Sequence, residues 1–95
     1  MTEAVISLKV GEIGSLHPVS DEDKIAYAGM TGRRIGNRSF SIVFIEGNSM
    51  GLPVRPVFNL FFPENHDMIE LGDYRMSVRH VCSTDITLRI VRVTE

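Results

Sequence analysis

The chain has 95 residues, a formal net charge of −2 and a single cysteine. That length is close to the commonest domain size and leaves no room for a second core, so we expect one domain spanning residues 1–95. An apolar content of 43% and a charged content of 23% are those of an ordinary globular protein, which excludes disorder and fibrous repeats. The balanced charge argues against a general nucleic-acid coat and against a strongly acidic DNA mimic.

No segment of the sequence reads as a membrane span or a secretory signal. Apolar runs reach four residues, as at Ile42 to Ile45, whereas about 20 are needed to cross a bilayer. The first residues carry Glu3 and lack a basic segment followed by a continuous apolar one. Cys82 has no partner for an internal disulfide, which fits a reducing compartment. We therefore expect a cytoplasmic protein with no membrane association.

The first third of the chain contains one clear strand and one ambiguous element. In Val5 to Val10 apolar and polar residues alternate with the period of a half-buried strand. Ser20 followed by three acidic residues resembles a helix N-cap, and Gly29 fits a C-terminal cap, which together predict a short helix near residues 21–28. The competing prediction is a strand over residues 24–30, because two turns of helix are marginal without tertiary support.

A hairpin is predicted around Gly36-Asn37, a pair suited to a two-residue turn. It would pair residues 31–35 with residues 38–42 and continue into a strand from Ser39 to Ile45 that is rich in β-branched and aromatic residues. No acidic residue occurs between Lys24 and Ile45, so this tip is locally basic. The arginines expected near it are Arg33, Arg34 and Arg38, with Phe40 nearby for stacking.

The segment from Val57 to Phe62 is apolar on both faces except for Asn59, and Pro63 ends it. A strand covered on both sides has this pattern, so we expect the core to centre here. The preceding stretch, residues 46–56, is rich in Gly, Pro and Asn and is expected to be a loop.

The last third of the sequence predicts a β-hairpin with strands over residues 74–82 and 86–93, joined by Ser83, Thr84 and Asp85. With a three-residue loop, Arg79 faces Arg89, and such opposed like charges require a compensating anion. An acid of the same chain, such as Glu70 or Asp73, is the simplest candidate. A bound phosphate or the carboxylates of a partner are the functional ones. Together these elements predict an all-β or β-rich fold, a small antiparallel sandwich or barrel of six to seven strands with one short helix.

No motif for catalysis or metal binding stands out. His80 and Cys82 share one strand face, and His66 with a carboxylate could complete a tetrahedral set, but the doubled ligand spacing of zinc sites is missing. A core thiol beside a core imidazole accounts for the same pattern. We therefore predict no catalytic residue, no metal site and no cofactor, and not an enzyme.

These features favour a non-enzymatic binding protein that engages another protein through strand edges and arginine-bearing surfaces. By size it resembles accessory proteins of phages or mobile elements, whether virion components or inhibitors of host machinery. Exposed strand edges also predict a homo-oligomer. The alternatives are a nucleic-acid-binding β-domain with an arginine-rich hairpin and a small metal-dependent enzyme using His66, His80 and Cys82. The predicted binding residues are Arg33, Arg34, Arg38, Phe40, Arg79 and Arg89.

Overall fold

Alternating apolar and polar side chains form eight antiparallel β-strands in the computed structural model, which describes residues 3–17, 19, 22–32, 37–47 and 57–93. These strands are β1 (Glu3–Lys9), β2 (Ile13–Ser15), β3 (Lys24–Thr31), β4 (Ser39–Ile45), β5 (Val57–Pro63), β6 (Met68–Leu71), β7 (Tyr74–Val81) and β8 (Asp85–Arg92). They make two four-stranded sheets. Sheet I has the order β1-β8-β7-β6 and sheet II the order β2-β3-β4-β5. The predicted all-β class and the small antiparallel sandwich are confirmed, with eight described strands in place of the six to seven expected.

The core lies between the two sheets, where alternate side chains of the central strands point inward. On β8 these are Ile86, Leu88 and Ile90, and on β4 they include Phe40 and Ile42, all five with no exposed surface. Burying side chains of this size contributes about 1.5–3 kcal/mol each, which makes this layer the main source of stability.

Two tyrosine hydroxyls bridge the sheets at the edges of the core. Tyr27 of β3 donates a hydrogen bond of 2.6 Å to the carbonyl of Cys82, and Tyr74 of β7 donates one to the carboxylate of Asp23. Burial raises the pKa of the Tyr27 phenol, so it stays a proton donor. Each bridge lets a large aromatic side chain be buried without leaving its hydroxyl unsatisfied.

The predicted helix near residues 21–28 is wrong, since Lys24–Thr31 is strand β3. Ile25 and Tyr27 alternate with more exposed residues and point into the core, while β3 hydrogen-bonds to β2 on one side and β4 on the other. Two strand partners and a buried tyrosine outweigh the local preference for two turns of helix. Ser20 and Asp21, the proposed cap, lie outside the described residues. Across the described part of the chain, no helix is long and apolar enough to span a membrane.

The predicted register of the first hairpin is also wrong. Thr31 pairs with Ser39 rather than with Ile42, so the connection between β3 and β4 is longer than the two-residue turn at Gly36-Asn37. A bulge at Ala28, with Gly29 at φ +103°, shifts the pairing within β3. Such a positive φ suits glycine, which explains why the bulge falls here.

The last hairpin forms, but in a different register from the one expected. Asp85 belongs to β8, and Val78 pairs with Leu88 while Val81 pairs with Ile86. The register shifts between Val78 and His80, which leaves Arg79 as the extra residue of a bulge. Arg89 pairs with Ser77 instead. The predicted opposition of Arg79 and Arg89 is therefore wrong, because the turn is one residue shorter than expected and the bulge shifts the register by a further residue.

Strand β5 is an edge strand and not the centre of the core. β5 pairs only with β4 among the described strands, and Val57 and Phe61 are exposed. Its core-side residues Leu60 and Phe62 are only partly buried. In this protein, therefore, the strand with apolar residues on both faces is an edge strand. No described strand pairs with its outer side.

Candidate functional site

The structure separates the predicted binding residues instead of gathering them. Phe40 is fully buried in the core and cannot stack on a ligand. Arg38 lies just before β4, where its Nε is 3.1 Å from a carboxylate oxygen of Glu64. Arg79 is exposed at the bulge of β7. Arg33 and Arg34 lie outside the described residues.

Arg89 is compensated by an acid of the same chain, as the simpler of the two sequence hypotheses required, but the acid is Glu3. The Nε of Arg89 is 2.9 Å from Oε2 of Glu3 on the neighbouring strand β1. Neither Glu70 nor Asp73, the acids suggested from the sequence, makes that contact. They pair instead with Arg75, at 3.5 Å, and with Arg92, at 3.8 Å.

The outer face of sheet I is thus a surface of paired charges. Its acids and bases sit opposite one another on adjacent strands, and Ser7 and Thr87 hydrogen-bond across β1 and β8 at 3.0 Å. Exposed pairs of this kind contribute little to stability, about 0–1 kcal/mol each, but they neutralise the field of the arginines. A polyanion would have to compete with these internal carboxylates, which weakens the case for a phosphate-binding surface on sheet I.

The four edge strands of the sandwich differ in how they are protected against pairing with another chain. β2 has three residues and β6 has four, too short to offer a long template. β1 carries charges at both ends, Glu3 and Lys9, and its Ile6 and Leu8 side chains pack against Gly14 of β2. β5 has seven residues, VFNLFFP, with no charge and no bulge. Only Pro63, at its last position, is a residue that normally blunts an edge.

Every second residue of β5 directs its backbone hydrogen-bonding groups away from β4, and no described strand pairs with that side. The N–H of Glu64 donates to the carbonyl of Arg38 at 2.9 Å, which sets the alternation of the β4–β5 ladder. In an antiparallel pair hydrogen-bonded and non-hydrogen-bonded residues alternate, so Phe58, Leu60 and Phe62 bond to β4. The intervening residues of β5, at positions 57, 59 and 61, direct their N–H and carbonyl groups away from the sheet.

The outer face of sheet II continues the apolar character of β5. Ile13, Ala26, Val43 and Asn59 lie opposite one another across all four strands. The next rows add Ile45 with Val57 and Ser41 with Phe61, although Ser41 itself is buried. Among the paired residues on this face the one charged side chain is Lys24. We call the edge of β5 together with this outer face the β5 surface.

A second group of side chains meets at the turn between β7 and β8. The Nε2 of His80 is 3.2 Å from Oδ1 of Asp85, and the Sγ of Cys82 is 3.5 Å from the other oxygen of that carboxylate. The Thr84 hydroxyl, followed by the backbone N–H groups of Thr84 and Asp85, lowers the pKa of the Cys82 thiol. The same hydroxyl, followed by the thiol, lowers the pKa of the Asp85 carboxyl. His66, predicted to join a set with His80 and Cys82, is not in this group, and its ring stacks on Phe62.

Comparison with known proteins adds no family: no protein-family model matches the chain, and no significant match is found among the curated proteins or the solved structures.

Sequence reasoning missed both the β5 surface and Asp85. The sequence signal for the β5 surface is the lack of charged residues from Val57 to Phe62. The same pattern also predicts a strand covered on both sides. The signal for the second was the spacing of His80, Cys82 and Asp85 around a tight turn. Asp85 was assigned to the loop, so its approach to His80 across the hairpin was not expected.

Proposed function

We propose that the protein is a non-enzymatic binding protein that engages another protein by adding an extended segment of the partner to the free edge of β5. The observation that carries the proposal is the edge of β5, seven residues without a charge and with no partner besides β4 among the described strands. Natural sheets shorten, charge or cover their edges because an open edge is a template for pairing. The other three edges of this sandwich follow that rule, so the exception at β5 fits a functional surface.

The chemistry of the partner follows from the chemistry of the edge. Main-chain groups at residues 57, 59 and 61 of β5 would bond to the backbone of the added strand, which supplies affinity without sequence preference. Exposed Phe61 and Val57, at 66% and 56% exposed, lie on the outer side and would contact alternate side chains of that strand. We therefore expect an uncharged segment of five to seven residues, roughly, with apolar residues at every second position.

Selection from a displayed library of random heptapeptides tests this proposal. The purified protein should enrich uncharged, β-branched or aromatic sequences. The Phe61→Glu variant should bind the enriched peptides at least roughly tenfold more weakly, because a charged side chain on an edge strand disfavours pairing with another strand. Val5→Glu is the matched control, since Val5 is 65% exposed on the edge strand β1 and Phe61 is 66% exposed on β5. The control should bind like the unchanged protein.

Three results would contradict the proposal. One is enrichment of acidic peptides whose binding survives Phe61→Glu, which would return the function to the arginine-bearing surfaces. Another is the recovery of no peptide that distinguishes the two variants. The third comes from sedimentation: if the unchanged protein is a dimer that Phe61→Glu dissociates, a second copy of the chain occupies the edge rather than a different protein.

Nucleic-acid binding has less support among the described residues. Of the predicted contact residues, Arg38 and Arg89 bond to carboxylates of the same chain and Phe40 is buried. A phosphate-binding surface needs guanidinium groups available to phosphates, with affinity that falls steeply as salt rises.

A further inference from the structure

The turn between β7 and β8 gathers three side chains with different metal-binding atoms. A ring nitrogen of His80, the sulfur of Cys82 and a carboxylate oxygen of Asp85 all lie within 4.8 Å of one another. Imidazole, thiolate and carboxylate are the three ligand types from which zinc sites in proteins are built. Their meeting at one turn is not required by the core, because all three side chains are exposed or only partly buried.

The bulge in β7 is what brings His80 to this position. Tyr74, Met76 and Val78 alternate toward the core, and an uninterrupted strand would turn His80 inward as well. The extra residue at Arg79 instead places Val81 against the core and pairs His80 with Thr87 of β8. His80 then lies 56% exposed on the outer side of sheet I, next to Asp85. Bulges often redirect a side chain at a functional position.

The distances already approach those of a metal centre. Ligand atoms about 2.0–2.3 Å from a tetrahedral ion lie roughly 3.3–3.6 Å from one another. Here His80 Nε2 lies 3.2 Å from Oδ1 of Asp85, and Cys82 Sγ lies 3.5 Å from Oδ2 of the same carboxylate. With one ligand atom taken from each residue, all three atoms lie within 4.8 Å of one another.

The turn also holds the candidate ligands in place. The hydroxyl of Thr84 lies 3.2 Å from the sulfur of Cys82 and donates a hydrogen bond of 2.8 Å to Oδ2 of Asp85. The backbone of Cys82 is fixed in turn, because its N–H donates to the carbonyl of Asp85 and its carbonyl accepts from the hydroxyl of Tyr27. Hydrogen bonds of this kind orient the ligands of metal sites and tune their basicity.

We propose that His80, Cys82 and Asp85 form a binding site for a divalent cation of the zinc type, with the fourth position held by water. One sulfur, one nitrogen and one oxygen ligand select zinc or cobalt over magnesium and calcium, which prefer sites made of oxygen alone. Three protein ligands and an open position also differ from the closed four-ligand sites that only stabilise a fold. The site is separate from the β5 surface and does not depend on the proposed binding function.

Titration of the reduced, metal-free protein with Co²⁺ tests the site. Because Cys82 is the single cysteine, a sulfur-to-cobalt charge-transfer band in the near ultraviolet can arise only from that residue. We expect such a band together with tetrahedral ligand-field bands, saturation at one Co²⁺ per chain, and displacement of the cobalt by Zn²⁺.

Variants distinguish a three-residue site from adventitious binding to an exposed thiol. Cys82→Ser should abolish the charge-transfer band, while His80→Ala and Asp85→Asn should each weaken Co²⁺ binding on the order of 10- to 100-fold. His17→Gln, at an exposed histidine outside the cluster, is the matched control and should leave the affinity unchanged. Circular dichroism of each variant checks that the strands persist. Two results would overturn the proposal. One is the absence of a charge-transfer band in the unchanged protein, and the other is an affinity for Co²⁺ in His80→Ala and Asp85→Asn as high as in the unchanged protein.

Discussion

The two outer faces of this sandwich differ although the two inner faces are alike. The outer face of sheet I carries acids and bases on adjacent strands, paired as Glu3 with Arg89 and Glu70 with Arg75. The outer face of sheet II carries alanine, valine, isoleucine and phenylalanine beside Ser41, Asn59 and a single charged residue among the paired positions, Lys24, and it ends in the uncharged edge of β5. Charged, paired surfaces keep a small domain soluble, whereas an apolar surface with a free edge favours contact with another chain.

The difference separates the ion pairs of the described residues from the binding surface that we propose. Arginines were expected to mark the binding surface because their guanidinium groups suit partly buried interfaces. In the fold, most of the described arginines instead complete ion pairs on sheet I, with Arg38 bonded to Glu64 beside β4. The residues of greatest interest for a partner are those without charge.

The largest effects should come from the shared core, where the two sheets are equivalent. Leu88→Ala in sheet I and Ile42→Ala in sheet II both remove fully buried side chains. Each should lower the free energy of unfolding by about 2–5 kcal/mol, through lost burial and a cavity. Denaturant unfolding followed by circular dichroism measures both. A large loss for one variant and none for the other would mean that the sheets are not stabilised by one common core.

Proline substitutions at adjacent positions of β5 should have opposite consequences. The N–H of Leu60 bonds to β4, so Leu60→Pro removes a hydrogen bond of the ladder and should strongly lower the free energy of unfolding. The N–H of Asn59 points away from the sheet, where proline is tolerated on an edge strand, so Asn59→Pro should change stability far less. Asn59→Pro should nevertheless weaken binding of the selected peptides, because position 59 of β5 then has no N–H to donate to the added strand. Equal destabilisation by both variants in thermal melts would show that the assigned alternation is wrong.

The hydrogen bond from the Tyr74 hydroxyl to Asp23 should contribute an intermediate amount to the free energy of unfolding. Tyr74→Phe keeps the ring, including its contacts with Phe44 and with the guanidinium of Arg92. It removes only the hydrogen bond to a carboxylate, and bonds to charged groups are worth about 1.5–3 kcal/mol. The free energy of unfolding measured in urea should fall by that amount. No change would mean that the bridge between the sheets is not formed in solution.

The smallest effect should come from the ion pairs of sheet I. Glu3 and Arg89 are 49% and 40% exposed, so Glu3→Gln should cost less than about 1 kcal/mol, and the loss should shrink as salt is added. Thermal unfolding at low and high ionic strength measures this dependence. A loss as large as that of Tyr74→Phe would contradict the view that these charges neutralise a surface rather than hold the fold.

The sequence predicted correctly those strands whose residue pattern fits only one type of secondary structure. β1, β4, β7 and β8 alternate clearly or are dominated by β-branched and aromatic residues, and their positions were close to those observed. It failed where one pattern fits two structures. Residues 24–28 suit either a capped helix or a strand, and the choice depends on pairing with β2 and β4, which lie elsewhere in the chain. The apolar segment of β5 suits a covered strand or an exposed edge.

Registers were the least predictable feature, and they determine the candidate sites. A shorter turn and the bulge at Arg79 together separate Arg79 from Arg89, and the bulge brings His80 to Asp85. The mark of the bulge in the sequence is the change of phase between the apolar residues Val78 and Val81. The outward direction of Asn59 likewise follows from a ladder that the sequence alone does not determine. Which residues share a face was therefore open until the strands were paired.

Amide hydrogen exchange along β5, measured by NMR with and without a selected peptide, tests the central claim most directly. In the free protein the amides of Phe58, Leu60 and Phe62 should be protected by β4, while those of Val57, Asn59 and Phe61 should exchange rapidly. Binding should protect these last three and leave exchange on the outer face of sheet I unchanged. Rapid exchange at residues 57, 59 and 61 in the complex, with new protection around Arg79 and Arg89, would contradict the assignment of the partner to β5.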